Sequence, residues 1–476
     1  MHKTKRYTWQ ISAVLVGLLI LIVTGFRPWA SENAEQPNVV IIFTDDLGYG
    51  DLGAYGHPTI QTPHLDRMAQ EGMKFTQFYS AASVCTPSRA ALLTGRLPIR
   101  SGMASNERRV LFPDSKYGIP AEEITLAEAL KAQGYATAAV GKWHLGHLAP
   151  YLPTNNGFDS YYGIPYSNDM DRVVGGEWRS IFWEPEPEFW NVPLMRDEEI
   201  IERPADQYTI TRRYTEEAVK FIEANKSSPF FLYLAHSLPH TPLFTDEAFA
   251  DVSRRGLYGD VIEEIDWSVG QVLDALRDEG LAERTLVFFT SDNGPWLIFD
   301  THGGSSGLLR GGKGMTWEGG MREPGIAWWP GTVPANSVQM EVTSTMDLYP
   351  TALAMAGATL ADDRIYDGKN LLPMLKGEEP GAVRDTYFYY RGARIFAVRK
   401  GPWKAHFMTQ WAYKSDNEYT EHDPPLLFHL DHDPSEKYNI AEKHPEVIAD
   451  IKAAVAAHQE AMVARPDQLV ARIGEE

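Results

Sequence analysis

The stretch NVVIIFT, residues 38–44, places the strongest constraint on the fold of this chain. Its apolar and β-branched residues follow one another without polar alternation, which is typical of a strand buried on both faces of a parallel sheet. Similar stretches occur at 136–140, 229–235 and 285–291, and helical patterns lie between them. Strands that alternate with helices predict an α/β fold with a mostly parallel sheet flanked by helices.

Two of the intervening helices carry clear signals. Thr125 and Glu128 have the spacing of a capping box, and Gly134 is placed to end that helix. The segment 260–280 repeats apolar residues at helical spacing, which predicts one face packed on the core. Those residues are Val261, Ile265, Val269, Leu273 and Leu276.

The pattern changes after residue 376, where short strand-like segments are joined by turns. They predict a small antiparallel C-terminal subdomain, which a helix over 445–463 completes. The strand-like segments are 386–390, 394–399, 403–407 and 426–430. We expect three parts of the chain: a leader or anchor with its spacer at 1–36, a catalytic domain at 37–376, and the C-terminal subdomain at 377–476.

The first residues have the composition of an export signal. Lys3, Lys5 and Arg6 precede an apolar run over 11–23, and the residues after the run match a cleavage site poorly. The segment is therefore predicted to be a signal peptide or an uncleaved membrane anchor. With a single cysteine and a single glycosylation sequon at Asn225, the chain fits an exported bacterial protein, periplasmic or secreted.

The balance of charges excludes one class of partner. The chain has 44 Lys and Arg against 64 Asp and Glu, a formal net charge of -20. The sequence contains no basic block, so a nucleic-acid partner is not expected. An anionic small molecule would be repelled by such a chain unless basic residues converge at its binding site.

The only cysteine, Cys85, stands in the stretch SVCTPSRAALLTGR. An isolated thiol is ordinarily a small buried hydrophobe, but here helix signals surround it. Thr86 is placed to cap a helix that begins at Pro87 and stops at Gly95. Cys85 would then face the N-terminus of that helix, where the dipole favours anions and lowers a thiol pKa, and Arg89 can reach the same place.

Carboxylates follow two of the predicted strands. Asp45 and Asp46 come directly after the first strand, and Asp292 and Asn293 follow the strand at 285–291. In open α/β sheets, ligands bind beyond the carboxyl ends of the strands. Four hard oxygen ligands at this edge predict a Ca²⁺ or Mg²⁺ site, and the spacing does not decide between the two metals.

Basic residues in three turns are candidates for holding an anion. Lys142 and His144 lie in GKWHLG, His240 lies in SLPHTP, and Lys313 lies in GGKG. A single surface Lys or His carries little information. If the three turns converge, however, they give this acidic chain a local site for an anionic substrate.

Together these motifs resemble the type I sulfatases, in which the cysteine of the pattern C-x-P-S-R is oxidised to formylglycine. Cys85–Arg89 and the following LTGR match that signature. The supporting motifs are DDLGYGD, GKWHLG, TSDNG and WEGGMREP. GIPYS and EPGIAWWPG are similar to the branch that contains arylsulfatase A and N-acetylgalactosamine-6-sulfatase. The resemblance covers residues 38–439 and implies an alkaline-phosphatase-like fold for the large domain.

The resemblance implies sulfate ester hydrolysis with a formylglycine nucleophile and a bound Ca²⁺, for which Mg²⁺ is an alternative. One hydroxyl of the hydrated formylglycine would attack sulfur, and the other would allow collapse to the aldehyde with release of sulfate. A serine there would end as a stable sulfate ester. The implied metal ligands are Asp45, Asp46, Asp292, Asn293 and the modified Cys85.

The resemblance also implies roles for the residues around that centre. Arg89 and Lys142 would support the formylglycine hydrate, and His144 would take a proton during release of sulfate. Charged side chains would stabilise the transferring sulfuryl oxygens. The residues implied in contact with the sulfate and the leaving-group oxygen are His240, Lys313 and Ser167.

The substrate itself is not predicted, and either an aryl sulfate or a glycan sulfate remains open. An insertion at 167–202 either walls an aryl or sugar pocket or anchors a loop. Its tryptophans are Trp178, Trp183 and Trp190. His302 and Arg310 are candidates for contact with a substrate hydroxyl or a second anionic group.

Two alternatives to a sulfatase remain. A phosphomonoesterase or phosphonate esterase of the alkaline-phosphatase-like class places similar metal carboxylates around a different nucleophile. An inactive binder of sulfated glycans is less favoured, because every expected catalytic position is occupied. The expected partners are an anionic small-molecule or glycan sulfate ester and the enzyme that generates formylglycine, and the oligomeric state stays open.

Overall fold

Parallel strands form the centre of the main sheet, as the apolar runs predict. The computed structural model describes residues 36–378, 381–412 and 418–475. Within these ranges the main sheet has eleven strands. They are β1 (Asn38–Thr44), β2 (Met73–Tyr79), β3 (Ala136–Gly141), β4 (Ser160–Gly163), β5 (Leu194–Arg196), β6 (Glu199–Glu202), β7 (Phe230–Ala235), β8 (Thr285–Ser291), β9 (Arg322–Trp328), β10 (Ser337–Gln339) and β11 (Thr343–Ser344).

The strand order is β10-β2-β9-β8-β1-β7-β3-β4-β5-β6, and β11 pairs with β2. Parallel pairing joins β8, β1, β7, β3 and β4, with Val40 of β1 opposite Leu232 and Val287. Towards the edges, β9 is antiparallel to β8 and β2, and β4, β5 and β6 pair antiparallel. The predicted fold class, a mostly parallel mixed sheet of the alkaline-phosphatase-like kind, is confirmed.

Helices cover both faces of this sheet. They are α1 (Pro63–Glu71), α2 (Cys85–Thr94), α3 (Pro98–Ser101), α4 (Leu126–Lys131), α5 (Trp178–Trp183), α6 (Ile210–Ala224), α7 (Leu257–Asp278), α8 (Glu318–Met321), α9 (Leu348–Met355), α10 (Leu372–Leu375) and α11 (Pro445–Ala461). Along β1, Val40 and Ile42 enter the core beneath α6 and α7, whereas Val39 and Ile41 enter the core beneath α2, α4 and α9. Burial on both faces explains the unbroken apolar run.

Local signals located two of these helices correctly. The apolar stripe of α7 is buried, and Thr125 and Glu128 form the predicted capping box at the start of α4. That helix ends at Lys131, earlier than predicted, and the chain turns through Gly134 at φ +88°.

A second, antiparallel sheet follows in the C-terminal region, as predicted. Its strands are β12 (Thr386–Arg391), β13 (Arg394–Lys400), β14 (Trp403–Thr409) and β15 (Thr420–His429), in that order. The last strand begins earlier than the predicted 426. Ile448 and Ile451 of α11 join an apolar cluster with residues of this sheet and of the main sheet.

The residues after Glu35 form one compact unit, so the expected boundary between 376 and 377 stays a prediction. The predicted signal peptide or anchor falls on residues 1–35, which lie outside the described residues. Within the described ranges, no helix has the length and apolar character needed to cross a membrane.

Candidate active site

The structure brings the four predicted oxygen ligands together at one edge of the sheet. Thr44 of β1 is paired with Ser291 of β8, so the residues that follow both strands emerge side by side. Asp46 takes the left-handed conformation, with φ +67°, and its backbone N–H donates to Asp292 Oδ1 at 3.2 Å. The predicted ligands Asp45, Asp46, Asp292 and Asn293 are all buried.

Cys85 lies beside this group, at the start of α2. Its thiol donates to Asp45 Oδ1 across 3.3 Å, and only 2% of the residue is exposed. The helix begins at Cys85 rather than at Pro87, and it ends at Gly95 as predicted. The predicted cap at Thr86 is wrong, because Thr86 lies inside the helix and its hydroxyl bonds other segments: it accepts from the Leu111 N–H at 3.1 Å and donates to the His144 carbonyl oxygen at 3.0 Å.

The expected low pKa of the Cys85 thiol is also wrong. Burial, reinforced by the charge of Asp45, raises the pKa of Cys85 well above its usual value, although Lys142 and Lys313 oppose this. Removing the thiolate from water costs more than the positive neighbours return. The unmodified cysteine is therefore a neutral hydrogen-bond donor and not a thiolate.

Three cations pair with the three carboxylates. Arg89 Nη2 donates to Asp292 Oδ2 at 2.8 Å, and Lys313 Nζ donates to Asp46 Oδ1 at 2.7 Å. Lys142 Nζ donates to Asp45 Oδ2. We call these six residues the catalytic cluster: Asp45, Asp46, Asp292, Arg89, Lys142 and Lys313.

The positions of two of these cations follow from local structure. Lys142 leaves the end of β3 through Gly141, which has φ +109° and whose added Cβ would lie 1.8 Å from Ala235 O. Only glycine permits that approach to the neighbouring strand. Arg89 lies one turn into α2 and also donates to the Lys142 carbonyl oxygen at 3.1 Å.

The carboxylates of the catalytic cluster respond differently to burial. Burial would raise the pKa of Asp45, but Lys142, His240, Arg89 and Lys313 together hold it well below its usual value. Burial, with the charges of Asp45 and Asp292, raises the pKa of Asp46 to about 7. Burial, with the charge of Asp45, raises the pKa of Asp292 to about 6. For Asp46 and Asp292, burial and the neighbouring carboxylates therefore outweigh the attraction of the three cations.

His240 follows β7 and faces the same group. Its Nδ1 lies 2.6 Å from the carbonyl oxygen of Thr241 and 3.0 Å from Asn168 Oδ1, so Nδ1 carries the hydrogen. Nε2 is left as the acceptor, 3.4 Å from Ser167 Oγ and 3.7 Å from Asp46 Oδ2. Burial, reinforced by Lys313, holds the pKa of His240 well below its usual value.

Ser167 and His144 complete the predicted set around Cys85. Ser167 Oγ accepts a hydrogen bond from Lys142 Nζ at 3.1 Å. His144 Nε2 lies 2.8 Å from the carbonyl oxygen of Leu111 and donates to it, while the buried Nδ1 has no hydrogen-bond partner among the described residues. Burial, reinforced by Lys142, holds the pKa of His144 well below its usual value. The ring is therefore neutral, with its lone pair at Nδ1.

The residues present fit a hard divalent cation. Ligand atoms of Asp45, Asp46, Cys85 and His240 all lie within 4.8 Å of one another. Asn293 Nδ2 donates to Asp46 Oδ1 at 2.7 Å, and its buried Oδ1 has no hydrogen-bond partner in the described structure. An unmet amide oxygen beside buried carboxylates with raised pKa values matches the donors that Ca²⁺ and Mg²⁺ prefer. The sequence did not predict that His240 would join this group.

Glu323 is a further buried carboxyl whose pKa the charges of the site affect. It lies at the start of β9, is fully buried, and neither of its carboxylate oxygens has a hydrogen-bond partner within the described ranges. Burial, with the charges of Asp292 and Asp46, raises its pKa well above the usual value. Sequence reasoning missed this residue, although it stands inside the motif WEGGMREP.

Three further residues of the site were missed. Asn168 binds His240, and the half-buried Asp169 has a buried Oδ1 with no partner in the part of the chain that the structure describes. The ring of Trp296 lies 4.9 Å from that of His240 and 4.3 Å from Lys313 Nζ. Each lies within two residues of a motif that was recognised, Ser167 or DNG, and this proximity was the one available signal.

The predicted insertion begins in the charged group with Ser167, whereas its tryptophans belong to an aromatic group. The Trp183 ring stacks on that of His302, 5.5 Å away, and lies 5.2 Å from that of Phe299. Trp190 is buried, whereas Trp178 is 44% exposed. His302 thus contacts Trp183, and its substrate contact stays a prediction.

Comparisons with known proteins agree with this geometry. A family model described as Sulfatase matches residues 37–358, and one described as C-terminal region of aryl-sulfatase matches residues 382–473. Arylsulfatase A of Bos taurus is 44% identical over 453 residues, 89% of this chain and 87% of that protein. N-acetylgalactosamine-6-sulfatase of Canis lupus familiaris is 40% identical, covering 95% of this chain and 91% of that protein.

A solved structure is similar over the same range. The PsFucS1 sulfatase from Pseudoalteromonas sp. superimposes with a TM-score of 0.79 at 29% identity, covering 92% of each chain. The family models and the two relatives together cover nearly all of the described residues. The chain belongs to the sulfatase family, in the arylsulfatase A and N-acetylgalactosamine-6-sulfatase branch, and is a sulfuric ester hydrolase.

Proposed function

We propose that this sulfatase hydrolyses a sulfate monoester through a formylglycine made from Cys85, with Ca²⁺ bound in the catalytic cluster. The observation that carries the proposal is the position of Cys85 at the start of α2, bonded to Asp45 inside a buried group of carboxylates. The hydrated formylglycine would supply the nucleophilic hydroxyl for sulfur. The raised thiol pKa fits a cysteine that works only after modification.

Asp45, Asp46, Asp292 and Asn293 are the residues that would hold the cation. The unmet Oδ1 of Asn293 and the raised pKa values of Asp46 and Asp292 both favour a positive ion there. When bound, Ca²⁺ would supply positive charge for the oxygens of the sulfate group. Mg²⁺ remains the alternative, because the donor set suits both ions.

Side chains of the cluster would bind and orient the sulfate ester. Lys313 Nζ and His240 both face Asp46, on the side of the cluster that Trp296 covers. Lys313 would donate to the leaving-group oxygen, and His240 and Ser167 would contact the sulfate. Fixed cationic donors at the point where charge develops lower the barrier without reorganisation during the reaction.

His144 would take the proton during release of sulfate. Its Nε2 is committed to the carbonyl oxygen of Leu111, so Nδ1 is the atom that can accept. The low pKa of His144 keeps this atom unprotonated before the reaction. Lys142 and Arg89 would hold Asp45 and Asp292 in place around the nucleophile.

The proposal extends to partners and location. The substrate would be an anionic small-molecule or glycan sulfate ester, which the convergence of Lys142, Lys313 and Arg89 favours in an otherwise acidic chain. Modification would need a formylglycine-generating enzyme. Export, to a bacterial periplasm or to the outside, would depend on the N-terminal apolar segment, as a cleaved signal or as an anchor.

One experiment tests the proposal directly. The purified protein is assayed with p-nitrophenyl sulfate and p-nitrophenyl phosphate side by side, and the mass of the Cys85 peptide is measured. We expect faster turnover of the sulfate ester, a peptide mass that corresponds to formylglycine, and no turnover by Cys85→Ala. Faster phosphate turnover, or full activity with an unmodified thiol, would overturn it.

A further inference from the structure

A second group of buried charges lies between the main sheet and the C-terminal sheet. Lys404 of β14 donates to Glu318 Oε1 at 2.9 Å, and its Nζ also lies 3.1 Å from Glu436 Oε1. His406 Nε2 lies 2.7 Å from the same Glu436 oxygen. We call this group the inter-sheet cluster: Glu318, Glu436, Lys404, His406 and Arg399. All five are buried.

The inter-sheet cluster holds the segment 310–318, which carries Lys313. Lys404 Nζ donates to the carbonyl oxygen of Thr316 at 2.9 Å, and the His406 ring stacks on that of Trp317, with centroids 4.1 Å apart. Arg391 of β12 donates to the carbonyl oxygen of Gly314, next to Lys313, at 3.0 Å. The C-terminal sheet thus supports this segment at three points.

Glu436 is the centre of these contacts. Its Oε2 accepts from the backbone N–H of Glu318 at 2.7 Å, and its backbone carbonyl accepts from Arg310 Nη1 at 2.8 Å. One residue therefore binds both ends of the segment 310–318. It does so in the left-handed conformation, with φ +51°, which a residue other than glycine rarely adopts.

The other side of the segment 310–318 is hydrogen-bonded to residues near the catalytic cluster. The Lys313 backbone N–H donates to Pro295 O at 2.9 Å, and that of Gly314 donates to Ser83 O at 2.7 Å, two residues before Cys85. The segment thus lies between the C-terminal sheet and the connection from β2 to α2, which leads to Cys85. Its position sets where the Lys313 ammonium lies relative to Cys85 and Asp46.

We propose that Glu436 is a positioning residue for sulfate ester hydrolysis, which places the Lys313 ammonium through the segment 310–318. The inference rests on the role of Lys313 in the proposed function. Lys313 has a flexible side chain, so the precision of its ammonium depends on how firmly its backbone is held. The loop after β15 then contributes to catalysis through the segment that carries Lys313.

A double-mutant cycle tests the proposal. We expect Lys313→Ala to lower kcat/KM by roughly 10²- to 10³-fold. Glu436→Gln, which cannot accept from His406 and Glu318 together, should lower it about 10- to 100-fold. Because Glu436 acts through Lys313, the double variant should be about as active as Lys313→Ala alone. Losses that multiply in the double variant would overturn the proposal.

The dependence on the leaving group separates positioning from a general loss of structure. A series of aryl sulfates with rising phenol pKa should show the largest losses for the poorest leaving groups, in Lys313→Ala and in Glu436→Gln alike. Ile451→Ala, which removes a buried side chain of α11, is the matched control. It should lower the unfolding temperature and leave the leaving-group dependence unchanged.

Hydrogen exchange gives a readout that does not depend on activity. The amides of Lys313 and Gly314 should exchange faster in Glu436→Gln than in the unmodified sequence, while those of β1 should be unchanged. If Glu436→Gln does not fold, His406→Gln, which removes the ring beneath Trp317, should show the same pattern. Unchanged exchange at 313 and 314 would refute the positioning role, whereas a wild-type protein inactive on sulfates would refute only the proposed function.

Discussion

The catalytic cluster and the inter-sheet cluster are both buried groups of opposite charges, but burial and neighbouring charges act differently on Asp46 in the first and on Glu318 in the second. Burial raises the pKa of Asp46 to about 7 in the catalytic cluster. Burial would likewise raise the pKa of Glu318 in the inter-sheet cluster, but Lys404, Arg322 and Arg399 hold it well below its usual value. Desolvation therefore raises the pKa of Asp46, whereas the cations around Glu318 keep that carboxylate ionised.

Neighbouring charges explain the difference. The charges of Asp45 and Asp292 add to the effect of burial on Asp46, whereas Glu318 faces three cations. All four carboxylate oxygens of Glu318 and Glu436 accept hydrogen bonds, including those from the hydroxyls of Tyr79 and Tyr389. Among the described residues, the buried His406 Nδ1 and Asn293 Oδ1 both lack a partner, but Asn293 binds Asp46, a carboxyl whose pKa is raised. The catalytic site is therefore the one that favours a cation.

The largest expected effect comes from removing that cation. Chelation should lower kcat/KM for p-nitrophenyl sulfate by roughly 10³-fold or more, because a bound divalent ion contributes several kcal/mol of charge stabilisation. Adding Ca²⁺ should restore turnover, and Mg²⁺ tests the alternative ion. Asp45→Asn should reproduce the loss and lower the metal content measured by mass spectrometry. Full turnover with no bound metal would show that the catalytic cluster does not need a cation.

Disrupting the inter-sheet cluster should instead lower the stability of the fold. Lys404→Met leaves Glu318 and Glu436 buried with fewer donors, so it should lower the free energy of unfolding by about 3–5 kcal/mol, as for a broken buried ion pair. Urea unfolding followed by tryptophan fluorescence measures this.

The matched control for Lys404→Met is Lys400→Met, on the neighbouring strand β13. It breaks the partly exposed ion pair of Lys400 with Asp450, at 2.7 Å. It should change the unfolding free energy by no more than about 1 kcal/mol. Equal effects of the two substitutions would show that the inter-sheet cluster has no special contribution to stability.

Asn293→Ala sharpens the contrast between met and unmet acceptors. It should weaken Ca²⁺ binding by about 10- to 100-fold in calorimetric titration, because the amide oxygen is lost from the groups around the metal. The control is Asn439→Ala, since Asn439 Oδ1 already accepts from the backbone N–H groups of Leu427 and Ala441. That variant should lose stability and keep its Ca²⁺ affinity. Unchanged affinity in Asn293→Ala would exclude its amide oxygen as a ligand.

Much of the fold could be predicted because its information is local. The apolar runs of β1, β7 and β8 reflect burial on both faces, and the stripe of α7 reflects burial on one. The short outer strands β5 and β10 were not predicted. Each has only three residues, so pairing with a neighbour decides its conformation rather than its own sequence.

The positions of the site residues could be predicted better than their pKa values and hydrogen bonds. Strand ends indicated Asp45, Asp46, Asp292 and Asn293 correctly as neighbours, because parallel strands end at the same edge, and the resemblance added Cys85 to them. The thiol pKa was predicted in the wrong direction, because burial depends on distant packing. Thr86 failed as a cap because the helix begins one residue earlier, and its hydroxyl oxygen accepts from the backbone N–H of Leu111 instead. The support of Lys313 by Glu436 depends on the tertiary fold alone.

The smallest expected effect concerns His406 and the pH dependence of stability. Burial lowers the pKa of His406 to about 4, below the value near 6.5 of an exposed histidine, despite the charge of Glu436. Between these pH values the unfolded chain binds more protons than the folded one, so the free energy of unfolding falls as the pH falls. From pH 7 to pH 5, His406 should account for about 1–2 kcal/mol of this loss.

His406→Gln should therefore lose less stability than the unmodified sequence when the pH is lowered from 7 to 5, as urea unfolding at the two pH values would show. His236→Gln should show a similar change, because burial also lowers the pKa of His236 to about 4. If His406→Gln instead loses more stability than the unmodified sequence on acidification, His406 is protonated in the folded state. Its bond to Glu436 would then be an ion pair, and the inter-sheet cluster would owe its low carboxylate pKa to one more cation than Lys404, Arg322 and Arg399 supply.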